Sequence, residues 1–318
     1  MVATSDQFLS QKVVVTGASG FIGSKTSQCL ADKFPNCSII GVGRKKALSR
    51  QISNPNFEYI SCDLVKDKIR DCLPGKTDIL IHLAGDRRTF VRPEEYSAQF
   101  RSNVEITTRM ADYASTAGIK LILYASTVYV YSGNSEVPFK EAFISLPRDN
   151  LGATKMASES LLNARAVAGQ FRSLSFRIGT VYGPGSSEEQ FIPQSIIKLC
   201  SPDPVAKFGA GDVKRDFVYI DDAARAFVAG VERLYDRDFA YDALNVGTNR
   251  ATSIREVVQI LAGDIGINKQ IEFGTFNNIG SEADTDHQLD ITRIRSILGW
   301  KPEVSLREGL HRTIEAFQ

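Results

Sequence analysis

Thr16-Gly17-Ala18-Ser19-Gly20-Phe21-Ile22-Gly23 follows the apolar run Val13-Val14-Val15 and opens a stretch of helical character from Phe21 to Leu30. Strand, glycine-rich turn and helix, in that order, form the setting in which a dinucleotide pyrophosphate binds. Gly17 permits the tight turn, Gly20 lets the backbone approach the pyrophosphate, and Gly23 lets the helix pack closely on the strand. The free N–H groups and positive dipole end of the helix then face the phosphates. A glycine triplet alone also fits an ordinary tight turn, so the rest of the chain has to decide between the two.

Outward from this stretch, apolar runs alternate with helix-like segments. Val13–Val15, Ile39–Val42, Ile79–Leu83 and Leu121–Tyr124 read as buried strands, and Phe21–Lys33, Pro93–Ala117 and Leu151–Gly169 as helices, with Pro93 well placed at a helix start. Repeated alternation predicts an α/β fold, a Rossmann-like doubly wound parallel sheet. After about Arg177 the pattern loosens around Gly183-Pro184-Gly185, Pro202–Pro204 and Gly209–Gly211. We therefore expect residues 1–178 to form the dinucleotide-binding domain, with returning segments near 217–250. Residues 179–318 would mainly form a smaller substrate-binding region at the carboxyl edge of the sheet, where ligands of open parallel sheets sit.

The 318 residues are 43% hydrophobic and 24% charged, with a net charge of +1. That balance gives no electrostatic case for nucleic acid or an acidic membrane. The five cysteines, Cys29, Cys37, Cys62, Cys72 and Cys200, are unclustered in sequence and lack metal spacing, so no metal site and no disulfide framework is expected. With no long apolar run and no export signal in Met1 to Gln11, a cytoplasmic setting is expected.

The second strand runs into Gly41-Val42-Gly43-Arg44-Lys45-Lys46. A carboxylate near this point accepts a hydrogen bond from the adenosine ribose in folds that prefer NAD. Gly43 instead leaves room for a 2′-phosphate, and Arg44 could pair with it bidentately. NADP(H) is therefore favoured, with NAD(H) possible; the plainer alternative is a solvated basic turn.

Further motifs follow in a fixed order: Asp63-Leu64; His82-Leu83-Ala84-Gly85; Asn103-Val104; Ala125-Ser126-Thr127 with Val130-Tyr131; and Leu151-Gly152-Ala153-Thr154-Lys155. Then come Arg177 through Tyr182-Gly183-Pro184-Gly185, the run Arg215 to Asp222, Asn245-Val246-Gly247-Thr248, and Leu298-Gly299-Trp300-Lys301-Pro302. Together they resemble the extended short-chain dehydrogenase/reductase family, the NAD(P)-dependent nucleotide-sugar epimerases, dehydratases and reductases, over nearly the whole chain. The resemblance implies cofactor contacts at Gly17, Ser19, Gly20, Phe21, Ile22, Gly23 and Arg44. It implies an adenine contact at Asp63 with Leu64 lining that pocket. Leu83, Ala84 and Gly85 would pass beside the phosphates and ribose, Lys155 would bond the nicotinamide ribose, and Asn103 would hold a kink or water in its helix. On the substrate side it implies Thr127, Thr180 and Arg215, with Arg215 gripping a diphosphate. Asp221 and Asp222 would lie where the chain re-enters the sheet, with capping as the plainer alternative. A homodimer is implied, through helices Pro93–Ala117 and Leu151–Gly169; Ala153, Ala157, Ala164 and Ala168 fit close packing there or on the sheet.

The chain departs from the family at its acid. The family places Tyr four residues before Lys on one helix face, so that the lysine lowers the phenol's pKa for proton exchange. That position is Leu151, which has no proton to exchange. Thr127 matches the hydroxyl that bonds the reacting oxygen, and Tyr129 stands where the dehydratases carry a catalytic Glu. Period-two geometry would aim Tyr129 to the same side as Thr127 if the strand end stays extended. Tyr129 is therefore the candidate replacement acid/base, against the alternative of an aromatic packing on the ligand. Two further readings remain: a binder or assembly protein without chemistry, and an enzyme relying on Lys155 directly. Thr127-Val128-Tyr129 disfavours a 4,6-dehydratase. Thr180 in place of asparagine and no arginine between Gly274 and Asp290 indicate an altered substrate. Asp86-Arg87-Arg88 fits either an anion-holding mouth or a solvated loop. His82 and His287 stand alone, and His82 reads as structural. The resulting expectation is a 4-keto reductase or epimerase of a nucleotide-activated sugar. The alternative is a catalytically degenerate sensor.

Overall fold

Three consecutive β-branched valines make Lys12–Thr16 a strand, and their burial on both faces makes it an interior one. Val13 and Val15 point into one apolar cluster and Val14 into another, as the two-residue period of a strand requires. The computed structural model describes residues 11–48, 51–89, 91–235, 237–275 and 285–317. Within them the strands are β1 (Lys12–Thr16), β2 (Ser38–Gly43), β3 (Phe57–Ser61), β4 (Ile79–His82), β5 (Leu121–Thr127) and β6 (Arg172–Ile178). They continue as β7 (Thr180–Tyr182), β8 (Val205–Lys207), β9 (Lys214–Tyr219), β10 (Tyr241–Val246), β11 (Ala251–Ser253) and β12 (Gln270–Glu272).

Seven strands form one parallel sheet in the order β10-β6-β5-β4-β1-β2-β3. This is the doubly wound α/β arrangement expected. The order reverses between β1 and β4, which opens a crevice at their carboxyl ends. The helices are α1 (Phe21–Lys33), α2 (Ile69–Cys72), α3 (Tyr96–Phe100), α4 (Ile106–Ala117) and α5 (Asn150–Val167). After them come α6 (Phe191–Cys200), α7 (Ile220–Leu234), α8 (Ile254–Ile265), α9 (Thr292–Leu298) and α10 (Leu306–Glu315). Helices α1, α7 and α9 cover one face of the sheet, where Leu30, Phe227 and Ile294 join Val13 and Val15. Helices α4 and α5 cover the other, where Met110 and Leu162 join Val14.

After β6 the chain builds a smaller region. Strands β11-β9-β7 form a three-stranded sheet and β12-β8 a pair, packed with α6, α8 and α10 around Phe217, Val257 and Leu310. The returning segments divide: β10 rejoins the main sheet beside β6, whereas β9 stays in the small one.

Two expected elements differ in detail. The helix expected over 93–117 is a composite: a 3₁₀ turn Pro93–Glu95, α3, a π-helical turn Arg101–Glu105 and α4. The strand expected to reach Leu83 ends at His82, because Leu83 and Ala84 turn to meet the glycine-rich loop. Among the described residues no helix is long and apolar enough to cross a membrane.

The tightest contact in the main sheet region is at Gly23, where an added Cβ would fall on the carbonyl of Gly17. Gly23→Val is expected to cost about 1–3 kcal/mol of stability through overpacking, measured by urea denaturation, and to abolish dinucleotide binding in the folded fraction.

Candidate active site

The glycine-rich turn sits at the reversal of strand order. Gly17 has φ +73°, a left-handed conformation that favours glycine, and a Cβ there would meet the Ala84 nitrogen at 2.8 Å. The loops after β1 and β4 therefore touch, which brings Gly17, Ser19, Gly20, Phe21, Ile22 and Gly23 against Leu83 and Ala84. Gly20 is the N-cap of α1 in extended conformation; the helix has no side-chain cap and no acidic residue in its first turn. That is an electropositive, sterically open cradle, and it fits a pyrophosphate. Thr16 stiffens the floor. Its Oγ1 pairs with His82 Nδ1 at 2.7 Å, while His82 Nε2 meets Thr107 Oγ1 at 3.1 Å. Burial, with Lys155 nearby, holds the His82 pKa down to about 3, so this histidine is a neutral structural bridge.

Lys155 lies on the inner face of α5. Its Nζ donates to the Ala125 carbonyl at 2.8 Å and lies 4.8 Å above the Tyr124 ring. A Cβ on Gly85 would come 3.3 Å from this nitrogen, so the ammonium stands at the backbone of the β4 loop. Burial pushes its pKa down to about 8, against the opposing pull of Glu159 and Asp86. Asn103 braces the same loop. Its Oδ1 accepts from the Asp86 N–H at 2.7 Å, and its Nδ2 donates to the Asp86 carbonyl at 3.0 Å and to Thr154 Oγ1 at 2.9 Å. It does so from the π-helical turn Arg101–Glu105.

Leu151 is buried in the first turn of α5, one turn ahead of Lys155. Tyr129 does not follow the expected extended path. The strand ends at Thr127, and Val128–Tyr131 forms a 3₁₀ turn whose N-cap, Thr127 Oγ1, accepts from the Tyr129 N–H at 3.3 Å. Period-two reasoning therefore fails past Thr127, because a side-chain cap starts a helix there. Proximity is reached by another route: a Cβ on Gly152 would lie 2.5 Å from the Tyr129 carbonyl oxygen, so the Tyr129 backbone rests on the turn that carries Leu151.

Of the residues expected on the substrate side, Thr180 starts β7, and Arg215 in β9 is largely buried, its Nη1 donating to the Lys214 and Thr285 carbonyls at 2.9 and 3.0 Å. The segment without arginine, Gly274 to Asp290, lies partly outside the described residues. His287, which sequence reasoning left as a lone histidine, is buried with its ring centroid 5.1 Å from that of Tyr129, edge to face. Neither ring nitrogen has a partner among the described residues, and burial, with Arg215 nearby, holds its pKa down to about 3. No local pattern announces it; only the return of the chain beside β9 brings it to Tyr129.

Four expectations are corrected or narrowed. At Gly43 the Ser19 Oγ and the Tyr59 hydroxyl stand where a side chain would go, the latter 2.9 Å from an added Cβ, so two hydroxyls line this position. Arg44 beside it is exposed. Asp222 is a structural anchor: its carboxylate accepts from the Glu303 and Val304 N–H groups at 3.1 Å, while Asp221 pairs with Lys25 at 2.9 Å. Arg88 spends its charge on Asp86 and Glu95, both at 2.6 Å, so the loop mouth is less positive than Asp86-Arg87-Arg88 suggests. Finally, the cysteines are not all apart. Beside Asp63 and Leu64, folding brings Cys62, Asp67 and Cys72 together, with ligand atoms all within 4.8 Å of one another.

This floor, cradle and lysine lie at the carboxyl edge of a Rossmann-like sheet and make up the candidate site. Residues 13–247 match the NAD dependent epimerase/dehydratase family, and the chain belongs to that family. It is 30% identical to the UDP-glucose 4-epimerase of Mycolicibacterium smegmatis, over 96% of this chain and 98% of that one. It is 27% identical to the UDP-glucuronate 4-epimerase of Thermodesulfobacterium geofontis, over 95% and 94%. Among solved structures it is similar to MoeE5 in complex with UDP-glucuronic acid and NAD, with a TM-score of 0.83, 30% identity and coverage of 96% and 98%.

The depressed Lys155 pKa carries a stability consequence. As pH falls from 10.5 toward 8, the unfolded chain takes up this proton before the folded one does. Stability from this group therefore rises with pH across that window. Relative to wild type, Lys155→Met should flatten the stability–pH slope between those values, as read by urea melts at several pH values.

Proposed function

We propose that this protein is an enzyme that uses NAD(P)(H) to oxidise or reduce a carbon of a nucleotide-activated sugar, as a 4-keto reductase or an epimerase. The proton transfer would be carried by a site rebuilt around Leu151. The observation that carries this reading is the seat of Tyr129 on Gly152, beside the helix turn that bears Leu151 and one turn from Lys155. Similar proteins named as UDP-sugar epimerases, and a similar structure holding a UDP-sugar and NAD, support the substrate class.

In this reading a bound nicotinamide supplies or takes the hydride. Gly17, Ser19, Gly20, Phe21, Ile22 and Gly23 hold its pyrophosphate, Asp63 and Leu64 its adenine, and Leu83, Ala84, Gly85 and Lys155 its ribose side. Thr127 bonds the reacting oxygen, and Tyr129 holds or receives its proton. Thr180 and Arg215 face the nucleotide-sugar. Residues 179–318 supply most of the substrate region. The exposed run Arg44-Lys45-Lys46, with no carboxylate at 43, supports NADP(H) over NAD(H), although similar structures hold NAD. Tyr96 and Phe100, exposed one turn apart on α3, support a homodimer in which α5 takes part.

A second reading is favoured by Leu151 itself: a sensor that binds both ligands without turnover. The test incubates the protein with NADPH and a panel of keto-sugar nucleotides. Consumption of NADPH supports the enzyme, and binding without consumption on any substrate supports the sensor. Tyr129→Phe should lower turnover by about 10²–10⁴-fold, and full turnover in that variant removes Tyr129 from the mechanism. Leu151→Tyr should lower activity if the site is rebuilt around leucine, and raise it if the site is degenerate. Titration with each cofactor should show tighter NADP(H); tighter NAD(H) overturns that preference.

A further inference from the structure

We propose that Cys62 and Cys72 form an oxidisable dithiol whose closure into a disulfide weakens dinucleotide binding at the adenosine end. Cys62 directly follows β3, is buried, and is tied to the sheet through its N–H donating to the Gly43 carbonyl at 2.9 Å. Cys72 ends α2 and is half-buried. Their sulfurs lie within 4.8 Å of each other and of a carboxylate oxygen of Asp67. Asp67 is already engaged, because its Oδ2 accepts from the Asp63 N–H at 2.7 Å and closes the Asp63–Asp67 turn. That leaves the two sulfurs as the reactive pair.

A disulfide requires the sulfurs to approach to about 2.0 Å, so one side must move. The Cys62 side is held in the sheet, whereas α2 is a four-residue helix with no buried residue. Movement therefore falls on α2 and on the turn between, which contains Asp63 and Leu64. Arg109, reaching the carbonyls of Leu64 and Asp67, transmits the shift to α4. Cys62 is buried and Cys72 only half-buried, so a soluble disulfide reaches Cys72 first, and Cys72 makes the first attack.

The oxidant is a low-molecular-weight disulfide such as glutathione disulfide. The Cys72 thiolate attacks one of its sulfurs and releases one glutathione thiolate. The Cys62 thiol then gives up its proton and displaces the second glutathione. Two cysteine thiols are thereby oxidised by two electrons, and one glutathione disulfide is reduced to two glutathiones.

The effect on binding rests on the proposed adenine role of Asp63 and Leu64; formation of the bond does not. The full chain is equilibrated in glutathione redox buffers, its remaining thiols are alkylated, and its peptides are weighed, while NADP(H) and NAD(H) affinities are titrated in parallel. The expected result is a Cys62–Cys72 cross-linked peptide pair and a dinucleotide Kd raised about tenfold in the oxidised form, with Cys72→Ser insensitive to oxidant on both readouts. Free alkylated Cys62 and Cys72 in oxidising buffer, or a lasting glutathione adduct on Cys72, overturns the dithiol. A cross-link with unchanged Kd overturns the coupling. A reduced protein that binds neither dinucleotide overturns the cofactor reading and the coupling with it, while the peptide masses still decide the bond.

Discussion

The buried ion pair between Glu159 and Arg177 sets the rotation of α5, and the rest of the site depends on that rotation. Glu159 accepts from Arg177 Nη2 at 2.8 Å and from Nε at 3.2 Å, tying α5 to β6. Ser126 donates to the same carboxylate from β5. Arg177 Nη1 donates to the Tyr131 hydroxyl at 2.8 Å, and that hydroxyl donates to Asn245 Oδ1 on β10 at 3.0 Å. One network thus joins α5, β5, β6, β10 and the 3₁₀ turn that carries Tyr129. A buried carboxylate that loses its cation leaves an uncompensated charge, typically a loss of about 3–5 kcal/mol, so its geometry is strongly held.

Lys155 is one turn ahead of Glu159, so fixing one fixes the other. The ammonium is thereby aimed at the Ala125 carbonyl and the Gly85 backbone instead of solvent. Leu151, a further turn ahead on the same helix face, is held buried by the same rotation. Leucine has no exchangeable proton, so this helix face presents the Lys155 ammonium beside an apolar side chain.

Much of the fold was legible locally. Parallel strands buried on both faces read as continuous apolar runs, so β1, β4 and the start of β5 stood out, and the glycine-rich turn marked the start of α1. Strand β3, with only partly buried positions, and β10, which returns from far along the chain, carried no comparable signal. The π-helical turn at Asn103 carried no signal in the sequence, which reads as one helix over 93–117. The failure at Tyr129 has a specific cause: Thr127 ends the strand by capping the next turn, a choice that alternation of polar and apolar residues does not encode.

The sequence alone determined the α/β class, the dinucleotide turn at Thr16–Gly23, the pairing of Leu151 with Lys155 on one helix face and the family resemblance, because each depends on residues close in sequence with a fixed period. Tertiary structure decided the rest. It lined Gly43 with the hydroxyls of Ser19 and Tyr59, brought His287 to Tyr129, engaged Arg215 with backbone carbonyls and joined Cys62 to Cys72. Each of these is a contact across elements distant in sequence, set by sheet order and side-chain packing, and short-range pattern carries no record of either.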